Sequence, residues 1–507
     1  MPSADGPSDG DDSDRDERDD GDPEADDGNR RLPVSRRAAL SAGAVGLTTG
    51  VGWVAGYATG VGRPPWTDPD PDPTAVTRAV DQTAWPVVGR DPASTRRAPT
   101  AALPDGDLAV AWTERKPQEA SDPVVAHGLA YTADWFLDDR HRLRAIDLST
   151  GEEAWSARFT ADRTGASPPA VAGDLLYYHD GDRLRAHSAV DGSEAWTAAP
   201  PAGLGTRSVP VAGRLIGSGR RVDEADASAV VAVGNGNGER SWARSYPAHA
   251  FAPRAADGAA FVPLYGWDRS GDGTADEASG DGNGTTDGDG NGTTDGDGNG
   301  TTDGDAGERD GVVALDAETG DERWRSDEVP RVSEMRAIGH GLVLVTTFDR
   351  RLVALDVGDG SRRWTARSAP ESRYGRETEI SPPDFDPVAI GPDRLFARYD
   401  DPSDRPGRIA ALDPETGEEL WTHAPADESP RTDGHFWFTG PTVVGDRVLV
   451  TANERNEWSV LRELDAATGA VRREVDLPDV APETAPLVAE ERVILGGFRS
   501  ITALEPV

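Results

Sequence analysis

Oxygen-bearing side chains give the first pattern in this 507-residue chain that could support chemistry. Asp268, Asp272 and Asp276 occupy positions 1, 5 and 9 of a run whose sixth residue is glycine, an arrangement that resembles half of a calcium-binding loop. Position 3 is Ser270, and no Glu stands at position 12. Calcium is therefore a candidate cofactor, and a solvated acidic loop without metal is the alternative.

Three glycosylation sequons follow in the same region, because Asn283, Asn291 and Asn299 each begin an Asn-Gly-Thr triplet. The triplets belong to the motif DGDGNGTT, which is written nearly three times within residues 268–310. This composition predicts a disordered Gly/Asp/Thr insertion. Glycosylation is expected if the region lies outside the cell, and the alternative is that Asn-Gly-Thr only fills a flexible repeat.

Thiol and histidine chemistry have little basis in this sequence. The chain contains no Cys, which excludes disulfides, thiolate nucleophiles, iron–sulfur clusters, Cys zinc sites and a lipid-modified N-terminal Cys. The eight His are scattered, and none stands in a recognised nucleophile setting. No catalytic residue is predicted.

The charge composition limits the class of partner. Asp and Glu number 91 against 52 Lys and Arg, the net charge is −39, and Lys116 is the single Lys. Such a surface would repel phosphates, which disfavours nucleic acid and anionic lipid as partners. At molar salt the Debye length is about 3 Å, so the self-repulsion would be screened. The composition predicts a halophilic source, and an acidic patch for a cationic partner is the alternative.

The first 80 residues predict export. Residues 1–34 are acidic and nearly without apolar side chains, which predicts a disordered tail. Arg36 and Arg37 then precede an uncharged run over 38–62, as in a twin-arginine signal, so residues 35–62 are expected to form the signal and membrane anchor. A buried Ala/Gly helix is the alternative. Residues 63–80 are a Pro-rich linker, and the rest of the chain is expected outside the cell.

The elements that must position any site are read from a repeated frame, seen most clearly from Gly311 to Trp324. A short apolar strand is followed by Asp316, which can cap a turn, by Gly320 at the position needing positive φ, and by Trp324 on the outgoing strand. The frame returns along the chain, with degenerate copies at Gly234 and at Arg473, where Trp is expected. A second recurring unit, an apolar strand with a turn, gives eight cycles mostly 40 to 57 residues apart.

A period of this length with about four short strands predicts an all-β, eight-bladed β-propeller over residues 81–507. The two chain ends supply the closing blade. Residues 501–505 are the first half of a frame without its Trp, whereas Leu108 to Trp112 form the second half without its Asp and Gly. Pairing the two halves would remove an exposed sheet edge.

The A-x-D-x-x-T-G-x-x-x-W frame resembles the PQQ-like β-propeller repeat of quinoprotein alcohol dehydrogenases and BamB, and the lead-in from Trp85 to Asp91 resembles the entry segment of such propellers. The resemblance covers roughly residues 81–507. In that family the Trp of the frame docks between neighbouring blades. The resemblance therefore implies this structural role for Trp112, Trp155, Trp196, Trp242, Trp324, Trp364 and Trp421.

The resemblance implies two functions. In quinoprotein dehydrogenases the quinone lies on a Trp, below a disulfide of adjacent Cys and beside calcium; this chain has no Cys, so PQQ is not expected as its cofactor. We expect a non-catalytic, monomeric scaffold that binds protein partners at the cell surface and is held to the membrane by its N-terminal segment. A quinone-dependent alcohol or sugar dehydrogenase is the alternative.

Overall fold

The structure, a computed structural model, describes most of the predicted propeller. The described residues are 81–100, 103–104, 106–115, 121–135, 140–160, 167–180, 183–199, 208–220, 227–266, 310–329, 331–348, 351–367, 388–401, 405–424, 436–454, 458–477, 480–497 and 500–507. The predicted acidic tail, signal and anchor, and linker lie outside the described residues, as does the predicted insertion except for Asp310. Among the described residues, no helix has the length and apolar character needed to cross a membrane.

Eight antiparallel sheets, which we call blades 1 to 8, form the fold. Before the first blade come β1 (Arg97–Ala98) and β2 (Leu108–Arg115). Blade 1 contains β3 (Val124–Ala126), β4 (Leu129–Trp135), β5 (Arg140–Asp147) and β6 (Glu153–Thr160). Blade 2 contains β7 (Ala170–Ala172), β8 (Leu175–His179), β9 (Leu184–Ser188) and β10 (Glu194–Ala198). Blade 3 contains β11 (Ser208–Val211), β12 (Arg214–Arg220), β13 (Ser228–Gly234) and β14 (Arg240–Tyr246).

The next three blades follow the same order. Blade 4 contains β15 (His249–Ala250), β16 (Arg254–Ala256), β17 (Ala259–Tyr265), β18 (Gly311–Asp316) and β19 (Glu322–Ser326). Blade 5 contains β20 (Val332–Gly339), β21 (Leu342–Thr347), β22 (Arg351–Asp356) and β23 (Arg362–Arg367). Blade 6 contains β24 (Val388–Ile390), β25 (Leu395–Asp401), β26 (Arg405–Leu412) and β27 (Glu419–His423).

The last two blades use strands from both chain ends. Blade 7 contains β28 (Phe436–Phe438), β29 (Thr442–Val444), β30 (Arg447–Glu454), β31 (Trp458–Asp465) and β32 (Val471–Asp476), and β1 pairs with β29 in parallel. Blade 8 contains β33 (Leu487–Ala489), β34 (Arg492–Gly497) and β35 (Ser500–Pro506), with β2 as its outer strand. The predicted eight-bladed propeller is thereby confirmed.

The closing pair of strands joins the two ends of the fold. Strand β2 is antiparallel to β35 from Leu108 opposite Pro506 to Arg115 opposite Ser500. The hydroxyl oxygens of Thr113 and Thr502 are 3.0 Å apart across this pair. The predicted composite blade is confirmed, and the ring has no unpaired strand edge at its junction.

The turn of the repeated frame is built by its Asp and Gly. In the copy at Asp316, the carboxylate accepts hydrogen bonds from the backbone N–H groups of Glu318 and Thr319 at 2.9 and 3.0 Å. Gly320 has φ of +73° and donates its N–H to the Asp316 carbonyl at 2.8 Å. A hydrogen bond from Arg323, together with these N–H groups, lowers the pKa of Asp316 to about 2. The turn therefore keeps a charged carboxylate at every ordinary pH.

The core lies between the blades, where apolar side chains of facing sheets pack together. One cluster joins blades 3 and 4 through Ile216, Val230, Val262 and Val313, all fully buried. Another joins blades 1 and 8 and includes Trp85, which precedes both sheets in the chain. Each blade thus depends on its neighbours for burial, which makes closure of the ring a condition for a complete core.

Candidate functional site

The lead-in segment, residues 84–98, occupies the central channel of the propeller. Its carbonyl groups accept hydrogen bonds from the inner strands of six blades. The donors, with donor-to-acceptor distances of 2.8–2.9 Å, are Val125 to Trp85, Val171 to Pro86, Ala255 to Pro92, Ile338 to Ala93, Ile390 to Thr95 and Val443 to Arg96. These bonds are made by backbone atoms, so the segment works as an internal hub for the blades.

Blade 3 is skipped by the lead-in segment because its inner strand has Pro210 at the equivalent position, and proline has no backbone N–H to donate. Between Pro86 and Pro92 the segment turns through Gly89 and Arg90, whose φ angles are +85° and +80°. An added Cβ at Gly89 would lie 2.9 Å from the Cα of Ser94, so glycine is required at this turn.

The channel has two unlike ends, which we call the turn face and the loop face. The turn face carries the short turns that join the first to the second strand and the third to the fourth strand of the blades. The loop face is the opposite end, where the blades are joined to each other and where the insertion between β17 and β18 leaves. Trp85 pairs antiparallel with Val125 and β1 runs parallel to β29, so the lead-in segment both enters and leaves at the turn face.

A polar cavity of about 300 Å³, which we call the axial funnel, opens on the loop face above the lead-in segment. Charged residues on its wall include Asp122, Glu334, Arg398 and Glu483, and Trp85 belongs to its floor. Glu334 pairs with Arg336 at 2.8 Å, and Arg398 donates to the Phe438 carbonyl at 3.0 Å. The funnel is thus lined by charges of both signs, of which Glu334 and Arg398 bond to other groups of the protein.

The residues around the axis do not fit a quinone with calcium. The chain has no Cys from which a disulfide above the ring could form. Within the described ranges, no group of three or more His, Cys, Asp or Glu side chains is arranged to hold a metal ion. The backbone of the lead-in segment also lines the channel in which such a cofactor would lie.

Among the described residues, a Ser–His pair beside the channel resembles a catalytic dyad. The His179 Nε2 lies 2.7 Å from the Ser208 Oγ, and burial lowers the pKa of His179 to about 4, so the ring is neutral and could accept a proton. The cavity next to it has a volume of about 30 Å³. A water molecule needs roughly 10–15 Å³, so this cavity admits water and no organic substrate. The pair is therefore structural.

The seven Trp of the frame lie between neighbouring blades in one geometry. Each indole N–H donates to a backbone carbonyl on the next blade, at 2.8–3.2 Å. The acceptor is the residue that directly follows the Asp position of the frame, as Ala317 follows Asp316. Each ring covers the glycine of that turn. The pairs are Trp112 with Gly151, Trp155 with Gly192, Trp196 with Gly238, Trp242 with Gly320, Trp324 with Gly360, Trp364 with Gly417 and Trp421 with Gly469. The degenerate copy at Gly234 keeps this geometry.

The corner between blades 7 and 8 differs from the other seven. Arg473 takes the place of the Trp, and its guanidinium donates to the Gly106 carbonyl and pairs with Glu463 at 2.8 Å. The turn that a Trp would cover is split between the two chain ends, where the Val507 N–H donates to the Asp107 carbonyl at 2.9 Å. The departure at Arg473 therefore follows from where the chain begins and ends its ring.

The remaining predicted site residues lie outside the described residues. These are the export-signal residues Arg36 and Arg37, the candidate calcium ligands Asp268, Asp272 and Asp276, and the sequon residues Asn283, Asn291 and Asn299. The sequence analysis did not predict that the lead-in segment bonds to the inner strands. The one sequence feature related to it is Pro210, which has no backbone N–H where the inner strands of six other blades donate one.

A family profile described as outer membrane protein assembly factor BamB matches residues 74–257, 302–393 and 405–505. The chain belongs to this family. The match reaches every blade and extends into the closing strand β35, while β17 and β25 lie in its two gaps. No curated protein sequence matches the chain.

Solved structures share the fold of this BamB-family chain at low sequence identity. A quinohemoprotein alcohol dehydrogenase from Comamonas testosteroni is 16% identical, with a TM-score of 0.56 over 83% of this chain and 80% of that chain. A second one, from Pseudomonas putida, is 13% identical, with a TM-score of 0.57 over 84% and 80%. BamB from Moraxella catarrhalis is 14% identical, with a TM-score of 0.47 over 79% and 98%. At these identities the likeness concerns the fold alone.

Proposed function

We propose that this BamB-family propeller is a non-catalytic scaffold that binds protein partners at the outer side of the cell membrane. The observation that carries the proposal is the lead-in segment in the central channel. Its backbone bonds to six of the eight inner strands, so the axis serves the stability of the disc. Partner proteins would then bind to the outer surfaces of the blades and to the loop face.

The composition supports the same function. The whole chain has a net charge of −39, and a closed disc within so acidic a chain presents a hydrated surface that stays soluble. Export by the twin-arginine route, anchoring by residues 35–62 and a halophilic source belong to this proposal and rest on the sequence. In molar KCl, the melting temperature of the purified protein should be higher than at about 0.1 M salt, since surface repulsion is then screened. A melting temperature that falls with salt would contradict the halophilic source.

The alternative, a quinone-dependent dehydrogenase, has the fold of its solved relatives in its favour and the residues at the axis against it. The two functions differ in a direct assay. Purified protein supplied with the quinone and Ca²⁺ should not oxidise alcohols or sugars in a dye-linked assay. Turnover that depends on both additions would overturn the scaffold proposal.

Cross-linking in native membranes at high salt tests the scaffold directly. Amine-reactive reagents suit this chain poorly because Lys116 is its single Lys, so a dihydrazide that couples carboxylates is the better reagent. We expect defined cross-linked species that contain the propeller and one or a few other proteins. Recovery of the propeller alone, under conditions where a known membrane complex is captured, would contradict the proposal.

A further inference from the structure

A groove lies at the corner between blades 7 and 8. It has a volume of about 440 Å³ and is lined by residues 107–110 of β2 and the chain before it, and by residues 473–476 of β32. Ligand pockets in proteins measure roughly 300–1,000 Å³, so the groove is large enough for a side chain with its flanking backbone.

The fold itself shows what chemistry fits such a corner. At the seven other corners an indole ring packs on the next blade and donates its N–H to a backbone carbonyl. At the eighth, Arg473 is drawn to Glu463 and the Gly106 carbonyl instead. Arg473 thus stands where the other corners have a Trp side chain, and it lies along the wall of the groove.

One wall of the groove is apolar at a position where most other outer strands carry a charge. Val110 is 39% exposed and stands two residues before Trp112. In the six other Trp-bearing outer strands, that position holds a charged residue: Glu153, Glu194, Arg240, Glu322, Arg362 or Glu419. Ala109 beside Val110 is also exposed. The eighth outer strand, β32, also has a valine, Val471, at this position, so the two strands that form this corner both lack the charge that the other six carry.

The rim of the groove carries negative charge, which favours a basic occupant. Arg473 is neutralised by Glu463 at 2.8 Å, and Glu474 by Arg462 at 2.8 Å, which leaves the negative charges of Asp107 and Asp476. The outer strands β2 and β32 each pair on one side within their sheets, so an extended segment could also bond to their backbone.

We propose that this groove, which we call the corner groove, binds an extended segment of a partner protein through a Trp side chain flanked by basic residues. The proposal rests on the scaffold function and names the partner's chemistry at one surface. The indole would lie against Val110 and Val475, and the basic residues would face Asp107 and Asp476.

A peptide binding experiment tests the corner groove. The probe is acetyl-Gly-Arg-Trp-Arg-Gly-amide made with 5-fluorotryptophan, so that ¹⁹F NMR reports on the peptide although the protein has 14 Trp of its own. The full chain should shift and broaden the fluorine signal with a dissociation constant below about 1 mM. Val110→Asp should weaken binding by about tenfold or more. The matched control is Val190→Asp, because Val190 is 62% exposed in a turn of blade 2 and should leave binding unchanged.

A second variant fills the groove from within. Arg473→Trp should abolish peptide binding while the protein keeps its melting temperature, because the new ring takes the peptide's place. No binding to the wild-type chain, equal binding to Val110→Asp, or undiminished binding to Arg473→Trp would each overturn the proposal. If the peptide fails to bind while membrane cross-linking still captures a partner, the corner groove is wrong and the scaffold function stands. Self-association detected by sedimentation and lost in Val110→Asp would instead identify a second copy as the occupant and overturn the proposed partner.

Discussion

At the residue scale, the propeller depends on contacts between one ring and one glycine at each corner. Gly417 has φ of +72°, and a methyl group built there would lie 2.5 Å from Trp364. Gly341 has nearly the same φ, +73°, and its added methyl would meet nothing within 4 Å. An alanine at Gly341 would carry only the cost of the positive φ. An alanine at Gly417 would carry that cost and also the cost of displacing the indole of Trp364.

Gly417→Ala should consequently reduce the free energy of unfolding more than Gly341→Ala does. Both variants carry the backbone cost, about 1 kcal/mol. Gly417→Ala adds overpacking against the ring, typically about 1–3 kcal/mol. Urea denaturation of both variants measures the difference, and equal losses would show that the ring contact contributes little to stability.

His179 gives stability a dependence on pH. Burial lowers its pKa from 6.5 to about 4 in the folded protein, so between these values the unfolded chain binds a proton that the folded protein does not. The free energy of unfolding should therefore fall as the pH is lowered through this window, by up to about 1.4 kcal/mol per pH unit from this residue. The contribution is fully present above pH 6.5.

Comparison with His179→Gln isolates this contribution, since Gln can still bond to Ser208 and does not titrate. Unfolding free energies at several pH values between 4 and 7 should have a smaller slope in the variant than in the wild type. Parallel slopes would show that His179 does not control the acid sensitivity.

At the element scale, the short lead-in segment joins six blades through backbone hydrogen bonds. Trp85 is 2% exposed and belongs to the cluster between blades 1 and 8. The carbonyl groups that follow it hold inner strands on opposite sides of the ring. Few contacts elsewhere in the described chain link so many blades through so few residues.

Trp85→Ala should cost about 3–5 kcal/mol of stability, as is usual for a buried Trp. It should also release the lead-in segment, so that the backbone amides of Val171, Ala255, Ile338 and Ile390 exchange hydrogen faster. Amides within the β21–β22 hairpin should keep their protection and serve as the internal control. Unchanged exchange at the four amides would mean that the segment is held without its Trp.

The sequence predicted some of these elements better than others, for physical reasons. The frame around Gly320 and Trp324 could be read because a positive-φ turn and an interblade ring each require particular side chains. The lead-in bonds could not be read, because every residue has a carbonyl group and the acceptors leave no pattern. The arginine at 473 looked like a degenerate copy, and its reason became visible only when the chain ends were seen to split the neighbouring turn.

At the scale of the whole molecule, closure of the ring ties stability to function. Blade 8 is assembled from β2 and β33–β35, so the last residues of the chain complete the sheet that the first strands began. The same junction creates the corner groove, since the chain ends take the place of a turn that a Trp would cover. The corner groove therefore lies where the first and last strands of the propeller meet.

The closing strand pair is the feature on which the account depends most, and a disulfide tests it directly. The chain has no Cys, and Thr113 and Thr502 face each other with hydroxyl oxygens 3.0 Å apart, so Thr113→Cys combined with Thr502→Cys places two thiols at bonding distance. Thr113→Cys combined with Thr346→Cys in blade 5 is the control. Mild oxidation of the folded first variant should give a disulfide, seen as faster migration on a non-reducing gel, whereas the control should give none. Free thiols in the folded first variant, or equal cross-linking in both, would contradict the closed eight-bladed ring.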